Sequence, residues 1–483
     1  MRSLRITLIV LLAGVSLVVV PCPAANAAAP NVLFILADDL GRQDCGFMGG
    51  TEIKTPNIDK LAKTGAVLDA FYVQPVCSPT RAALMTGRYP MRHGLQVGVV
   101  RPWAQYGLPL DERTLPQALK AAGYETSICG KWHLGHFTPE YLPTRRGFDH
   151  QYGHYNGALD YFTHERDGGF DWHRDDKVNR DEGYTTTLLG KEAARRIRER
   201  AKGKPFFIYV PFNAVHSPHQ VPEKYLTPYG ALKGDRRLYA GMLAAMDESV
   251  GEIIAALEAE GLRKDTLIIF SSDNGGPAPG KITDNGPYRA GKGTLYEGGT
   301  RVAAFAAWEG KIKAGTVVKE PLHMVDWYPT LLKLGGAATE QKLVPDGLDI
   351  LPVLTAGAKS PHDAILLNTT PNNGAIRMGD WKLVVGGNRS DDGGEGVVQA
   401  EPNSAAAKGK KAKQAGAAEG PRVELFNLAT DPYEKTNLAV EQPEKVKELR
   451  TRLDGFAKQA VPPKSAPKEA GYKTPKVWGE KDK

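Results

Sequence analysis

Unbroken apolar runs that stop abruptly at polar turns recur along this chain. Asn31 to Ala37 (NVLFILA) ends at Asp38-Asp39, and Phe206 to Phe212 and Thr266 to Ser271 repeat the design. Runs that are continuous rather than alternating belong to strands buried on both faces, as in a parallel sheet. Between them lie helical stretches, Leu115 to Ala122 and Arg236 to Glu260. In the second, Leu238, Met242, Ala245, Met246, Val250, Ile253, Ile254 and Leu257 recur near the helical period. Strand and helix alternate, which predicts an α/β fold. After about Gly357 the pattern changes: Ala364 to Leu367, Ala375 to Val385 and Val423 to Leu428 predict a smaller antiparallel sheet, and Glu441 to Lys458 a helix laid on it. The expected organisation is a large unit over residues 28–357, an α+β subdomain over 358–461 and a Pro- and Lys-rich tail over 462–483. The Gly-, Ala- and Lys-rich stretch 386–421 is expected to be a disordered loop. The tail reads similarly, although Tyr472 and Trp478 offer it anchors.

Composition changes this picture at the chain's start. Arg2 and Arg5, the apolar Ile6 to Val20 and the small-residue site Ala25-Asn26-Ala27 form a secretory signal over residues 1–27. The apolar stretch is short of the ~20 residues a membrane span needs, so no stable membrane anchor is expected and the mature protein is placed in the periplasm or outside the cell. The formal charge of +7 is concentrated in that leader and in the tail, which leaves the body nearly neutral. A nucleic-acid partner, which needs a basic patch on the fold, is not expected. Once the leader and its Cys22 are removed, Cys45, Cys77 and Cys129 remain, an odd number in an exported protein and a sign that one thiol has a chemical fate. Cys45 and Cys129 are expected to be buried free thiols rather than a pair.

Ligands of α/β sheets bind beyond the carboxyl ends of the strands. The polar clusters Asp38-Asp39, Gly130 to His133, Asn213 to His216 and Asp273-Asn274 all follow strand-like runs, so separate segments could converge there. The sharpest motif is Cys77-Ser78-Pro79-Thr80-Arg81, followed by AALMTGR. Pro79 suits a first helical turn, which puts Cys77 at a helix N-terminus, where free amides and the dipole favour an anion. This run resembles the sulfatase signature, in which the cysteine is oxidised to formylglycine after translation. Gly123 to His133 (GYETSICGKWH) resembles the second sulfatase signature. LPTRRGFD from Leu142, HSPHQVPEKY from His216, SDNGG from Ser272 and GKGTLYEGGTR from Gly291 look most like the arylsulfatase B group, the N-acetylgalactosamine-4-sulfatases. The likeness extends from Asn31 to about Asp346. Thr80 stands where many members have serine, and a polar loop after Phe148 is extended.

The resemblance implies an alkaline phosphatase-like fold, a large mixed sheet flanked by helices with a smaller C-terminal sheet and helix. It implies a formylglycine hydrate at position 77 as nucleophile, and a formylglycine-generating maturation enzyme as partner. Asp38, Asp39, Asp273 and Asn274 would bind one Ca2+, with the modified Cys77 completing the site when hydrated, and Mg2+ possible; the all-oxygen donor set of the four suits a hard cation rather than zinc. Arg81 and Lys131 would hold the diol, and His133 would take a proton as sulfate is released. His216 and Lys292 would stand at the leaving oxygen as acid and positive charge. His219 is a candidate substrate contact, and Tyr161, Trp172 and Arg174 form an expected rim. The expected substrate is a sulfated glycan carrying a galactose or N-acetylgalactosamine 4-sulfate. Two other readings compete: a phosphate or phosphonate monoester hydrolase of the same superfamily, which would use histidine-rich metal ligands, and a non-catalytic sulfated-glycan-binding protein, which would have lost the Cys-Pro-Arg core.

Overall fold

The computed structural model describes residues 29–370, 373–387 and 421–480. The expected leader and nearly all of the expected loop 386–421 lie outside the described residues. Asn31–Ala37 is a strand over the predicted bounds, and all seven of its residues are buried. It lies at the middle of a ten-stranded sheet, parallel to Phe206–Pro211 on one side and Thr266–Ser272 on the other. Glu125–Cys129 and His150–Gly153 extend the parallel set beyond Phe206–Pro211. Beyond Thr266–Ser272 the sheet becomes mixed, because Ala304–Ala307 pairs antiparallel with it and with Ala66–Leu68.

Alternation along the strands explains why the interiors of the central runs are apolar at both parities. Val32, Phe34 and Leu36 pack with Leu84, Met85, Leu119, Trp327 and Leu331, from the helices Cys77–Thr86, Leu115–Ala121 and Trp327–Leu334. Leu33, Ile35 and Ala37 face the opposite layer, with Ile58, Leu189, Ala193, Met242, Met246 and Ile253 of Pro56–Lys63, Thr185–Arg198 and Gly234–Ala259. Each face buries an apolar layer, so both parities must be hydrophobic. Trp327 and Tyr328 are core residues, fully buried.

After the helix Leu351–Ala356 the chain builds a second, four-stranded sheet from Ile365–Thr369, Gly374–Met378, Trp381–Val385 and Val423–Asn427, antiparallel in sequence order. The helix Pro443–Ala457 covers it through Leu449 and Leu453. A buried ionic cluster fastens this sheet to the large one: Lys382 Nζ lies 2.9 Å from Glu297 Oε1 and 2.8 Å from Glu434 Oε1, with all three side chains excluded from solvent. Removing one partner of such a cluster leaves a buried charge unpaired, at a cost of about 3–5 kcal/mol. The tail departs from the disorder expected for it. Residues 461–480 return across the large unit, and Trp478 is buried there, its indole N–H donating to the Arg166 carbonyl at 2.9 Å. Cys45, Cys77 and Cys129 are buried free thiols. No helix among the described residues is long and apolar enough to cross a membrane.

Candidate active site

The carboxyl ends of the central parallel strands deliver the acidic groups. Asp38 and Asp39 follow Asn31–Ala37, and Asp273 and Asn274 follow Thr266–Ser272, its parallel neighbour; all four residues are buried. Asp39 N–H donates to Asp273 Oδ1 at 3.2 Å and Asn274 Nδ2 to Asp39 Oδ1 at 2.7 Å, so the two turns are stitched together. Asp39 reaches this position with a φ of 61°, as does His133 with 57°. Left-handed backbone at non-glycine residues costs on the order of 1 kcal/mol or more and concentrates at functional sites.

Cys77 opens the helix Cys77–Thr86, whose ten residues are all buried, and its Sγ lies 3.5 Å from Asp38 Oδ1. One turn on, Arg81 donates from Nη2 to Asp273 Oδ2 at 2.8 Å and to Asp38 Oδ2 at 3.0 Å. Lys131 Nζ meets Asp38 Oδ2 at 2.5 Å, and Lys292 Nζ meets Asp39 at 2.8 and 2.9 Å. The segment 130–133 can approach this closely because Gly130, at φ 145°, passes against the Pro211 carbonyl; a Cβ there would stand 2.0 Å from that oxygen. Ser78 and Thr80 of the motif serve as fasteners. Ser78 Oγ donates to the His133 carbonyl at 2.9 Å and accepts from Val100 N–H at 3.0 Å. Thr80 Oγ1 accepts from Gln74 N–H at 3.0 Å and donates to its carbonyl at 3.1 Å, bonds a serine hydroxyl would also make.

Three buried carboxylates thus face three buried cations. Burial alone would raise Asp38, but Lys131, His216 and Arg81 hold it well below the ordinary carboxylate range. Asp273 is pushed up to about 6 by burial and the charge of Asp38. Burial, with Lys292 beside it, pushes His216 down to about 4, and burial with Lys131 and Arg81 holds His133 well below its usual value. Donor atoms of Asp38, Asp39, Cys77 and His216 all lie within 4.8 Å of one another, a grouping able to hold a metal ion. The residues fit a hard cation in a second respect. The side-chain oxygen of Asn274 is buried with no hydrogen-bond partner, while its amide N–H groups are engaged by Asp39 and the Gly275 carbonyl. Such an acceptor, aligned with crowded carboxylates, completes an oxygen ligand set.

The structure therefore brings together Asp38, Asp39, Cys77, Arg81, Lys131, His133, His216, Lys292, Asp273 and Asn274. The expected rim is not built as the sequence suggested. Tyr161 and Trp172 are only 1% and 0% exposed. Tyr161 lies beneath the site, its hydroxyl donating to the Asn213 carbonyl at 2.6 Å and lying 2.7 Å from that of His216. Trp172 is enclosed by Tyr152, His154 and His164. Arg174 sits on the outer strand His173–Arg174, 2.6 Å from Glu192 and over the Tyr152 ring. Apolar bulk drew the aromatic pair inward, and a local carboxylate holds the arginine. His219 turns towards the long helix, with Nδ1 3.7 Å from Asp235. Glu297-Gly298-Gly299, which follows the Lys292 segment, begins the short helix Glu297–Thr300. Its Gly299 carbonyl accepts from Gly275 N–H, so it supports Asn274.

One supporting residue was not foreseen in its role. Asp171, wholly buried, accepts from Tyr155 N–H at 3.0 Å and from both Asn156 N–H and Asn156 Nδ2 at 2.9 Å. This fixes the following Gly157 so tightly against the His133 ring that a Cβ would stand 2.4 Å from it. Asp171→Ala is expected to destabilise the protein by about 2–4 kcal/mol, since each stranded buried donor costs ~1–3 kcal/mol. It should also lower kcat by up to about 10²-fold through displacement of His133, with KM less affected. Thermal unfolding and steady-state kinetics check both effects.

A helix-borne Cys-x-Pro-x-Arg motif facing a buried carboxylate cluster at the ends of parallel strands defines a class. The family model described as sulfatase matches residues 30–337, and the chain belongs to the sulfatase family, enzymes that hydrolyse sulfate esters. Arylsulfatase J of Mus musculus is 38% identical over 477 residues, spanning 92% of this chain and 78% of that protein. N-acetylgalactosamine-6-sulfatase of the same species is 36% identical over 352 residues, spanning 68% and 66%. Among solved structures, Ps i-CgsB in complex with k-i-k-neocarrahexaose superposes with a TM-score of 0.78 at 31% identity, covering 90% of this chain and 94% of that one.

Proposed function

We propose that this sulfatase is an exported enzyme that removes sulfate from a carbohydrate of galactose or N-acetylgalactosamine type, with formylglycine at position 77 and one calcium ion. The observation that carries the reading is Cys77 at a helix N-terminus, 3.5 Å from Asp38 and ringed by Arg81, Lys131 and Lys292. The carbohydrate class is supported by likeness to Ps i-CgsB, solved with a neocarrahexaose, and to N-acetylgalactosamine-6-sulfatase. The sulfate position, expected at O4, rests on motif likeness to arylsulfatase B.

Asp38, Asp39, Asp273 and Asn274 would hold the cation, which neutralises sulfate oxygens as a Lewis acid. Residue 77, once oxidised by a maturation enzyme, supplies a hydrate hydroxyl as nucleophile. Arg81 and Lys131 orient it by charge-assisted hydrogen bonds. With three carboxylates balanced by Arg81, Lys131 and Lys292, a dication leaves the site positive, as an incoming sulfate ester requires. His216 gives a proton to the departing sugar oxygen; the negative charge of the bound ester raises its affinity for that proton. Lys292 stabilises the same oxygen, and His133 accepts the proton released when free sulfate departs.

The direct test is release of sulfate from a panel of defined sulfated oligosaccharides by protein co-produced with a maturation enzyme. Turnover of aryl sulfates with no sugar sulfate accepted would overturn the carbohydrate assignment. A second experiment addresses the metal. Exhaustive chelation should abolish activity, and calcium or magnesium should restore it. Asp273→Asn, which keeps the side chain's shape beside Arg81, should lose bound calcium and activity together. Restoration by zinc alone would favour a phosphate or phosphonate hydrolase.

A further inference from the structure

The tail that sequence alone left unplaced is held along its whole length. Val461 N–H donates to the Met91 carbonyl at 2.9 Å, and Lys464 N–H to that of Gly94 at 2.7 Å. Trp103 Nε1 donates to the Ala466 carbonyl at 3.0 Å, and the Tyr472 hydroxyl lies 3.4 Å from that of Pro102. At the far end Phe170 N–H donates to Lys476 and Trp478 N–H to Phe170, both at 2.9 Å, with the Trp478 ring set edge-on to His136. This segment has no core of its own; it is a strap drawn across the loop that carries Trp103.

Between its fastenings the strap makes an unusual surface. Trp103 and Tyr472 are half-buried rings. The exposed Lys468 ammonium stands 5.6 Å from the Trp103 centroid and 5.4 Å from that of Tyr472, and the Arg101 guanidinium 5.9 Å from Trp103. These are cation–π contacts, within about 6 Å and worth little at an exposed site, so a ligand that stacks on the rings can displace the cations and pair with them. Neither has a carboxylate partner among the described residues, and residues 462–476 contain four lysines against the single Glu469. Rings that present apolar faces beside cations lacking counter-charges suit a ligand that is both apolar-faced and anionic.

The same loop reaches the catalytic cluster. The Val100 carbonyl lies 3.0 Å from His133 Nε2, and Val100 N–H bonds Ser78 beside Cys77. From Val100 to Trp103 is three residues, at most about 10 Å of chain. We propose that Trp103 and Tyr472, with Arg101 and Lys468, form a subsite for a second, uncleaved sugar of a sulfated oligosaccharide whose neighbouring unit occupies the catalytic centre. This rests on the carbohydrate reading above, and it makes the enzyme one that acts on chains in preference to single sugars.

The test uses hexasaccharides of a sulfated galactan and of chondroitin sulfate, with a monosulfated monosaccharide as the short probe. Affinities are measured on the full chain carrying Cys77→Ala, so that nothing is cleaved. The parent should bind a hexasaccharide at least about tenfold more tightly than the monosaccharide, and Trp103→Ala and Lys468→Ala should each remove most of that difference. The same substitutions in active enzyme should leave kcat/KM on a small aryl sulfate unchanged. Lys468→Ala, at an exposed position, guards against a folding defect. Hexasaccharides bound no better than the monosaccharide, or affinities unaltered by both substitutions, would overturn the subsite. So would equally tight, equally sensitive binding of a single-stranded oligonucleotide, which would mark a general polyanion surface. An enzyme that binds hexasaccharide through Trp103 yet releases no sulfate from any sugar would sink the carbohydrate-sulfatase reading and leave the subsite standing.

Discussion

Cys77→Ala is expected to abolish turnover, a loss on the order of 10⁶-fold, the scale seen when a hydrolase is stripped of its covalent nucleophile. The fold should tolerate the change. Cys77 is 1% exposed, and among the described residues its sulfur makes a single hydrogen bond, the 3.5 Å contact to Asp38. The helix it opens is fastened by Ser78, Thr80 and Arg81, whose partners lie in five other segments. A stability change within about 1 kcal/mol is therefore expected, ordinary for a single substitution, and bound calcium should persist. Peptide mass analysis of the active enzyme should find sulfur and two hydrogens replaced by one oxygen at residue 77. An enzyme fully active with an unmodified thiol there would refute the proposed nucleophile.

His216→Ala should separate two kinds of substrate. A sugar alkoxide leaves poorly without a proton, whereas a phenolate departs with little help. Loss of a general acid costs typically ~10²–10⁴-fold, so sugar sulfates should suffer by that factor and an activated aryl sulfate by far less. The geometry makes the test clean, because His216 is held from outside the charge cluster. Its Nδ1 lies 2.6 Å from the Ser217 carbonyl, and Tyr161 supports its own carbonyl from below. Its other ring nitrogen faces Asp39 at 3.6 Å. Removing the ring therefore leaves the Asp39–Lys292 pair in place. Equal losses on both substrates would show that His216 is not the acid.

The central sheet was legible because its strands have no solvent face. Asn31–Ala37 and its two neighbours announce themselves as unbroken apolar runs. Ala66–Leu68, Ala304–Ala307 and Thr316–Val318 do not, because three or four residues at the antiparallel side of the sheet carry too little pattern. The acidic turns and the Cys77 helix were legible through their motifs: a polar turn after a buried strand is common by itself, and Asp38-Asp39 and Asp273-Asn274 stood out beside the Cys77-Ser78-Pro79-Thr80-Arg81 run. Tyr161, Trp172 and Arg174 were misread because residue type reports chemistry and not direction. Each carries groups suited to sugar, yet packing turns two of them inward and Glu192 holds the third. Of the strap only the anchors Tyr472 and Trp478 were legible, because composition registers its prolines and lysines but not the backbone carbonyls, at Met91, Gly94 and Phe170, that hold it.

Trp478 and Arg166 are 312 positions apart. Closures of that span come late in folding, since the entropy of bringing distant segments together must be met before their contacts repay it. The large sheet can be complete while the loop from Arg101 to Tyr106 still lacks its clamp. Only a chain that extends through Trp478 can close that loop. Copies cut short before Pro462 should be told from those that carry residues 462–480 by protease nicking near Trp103, well before any difference is visible in the sheet.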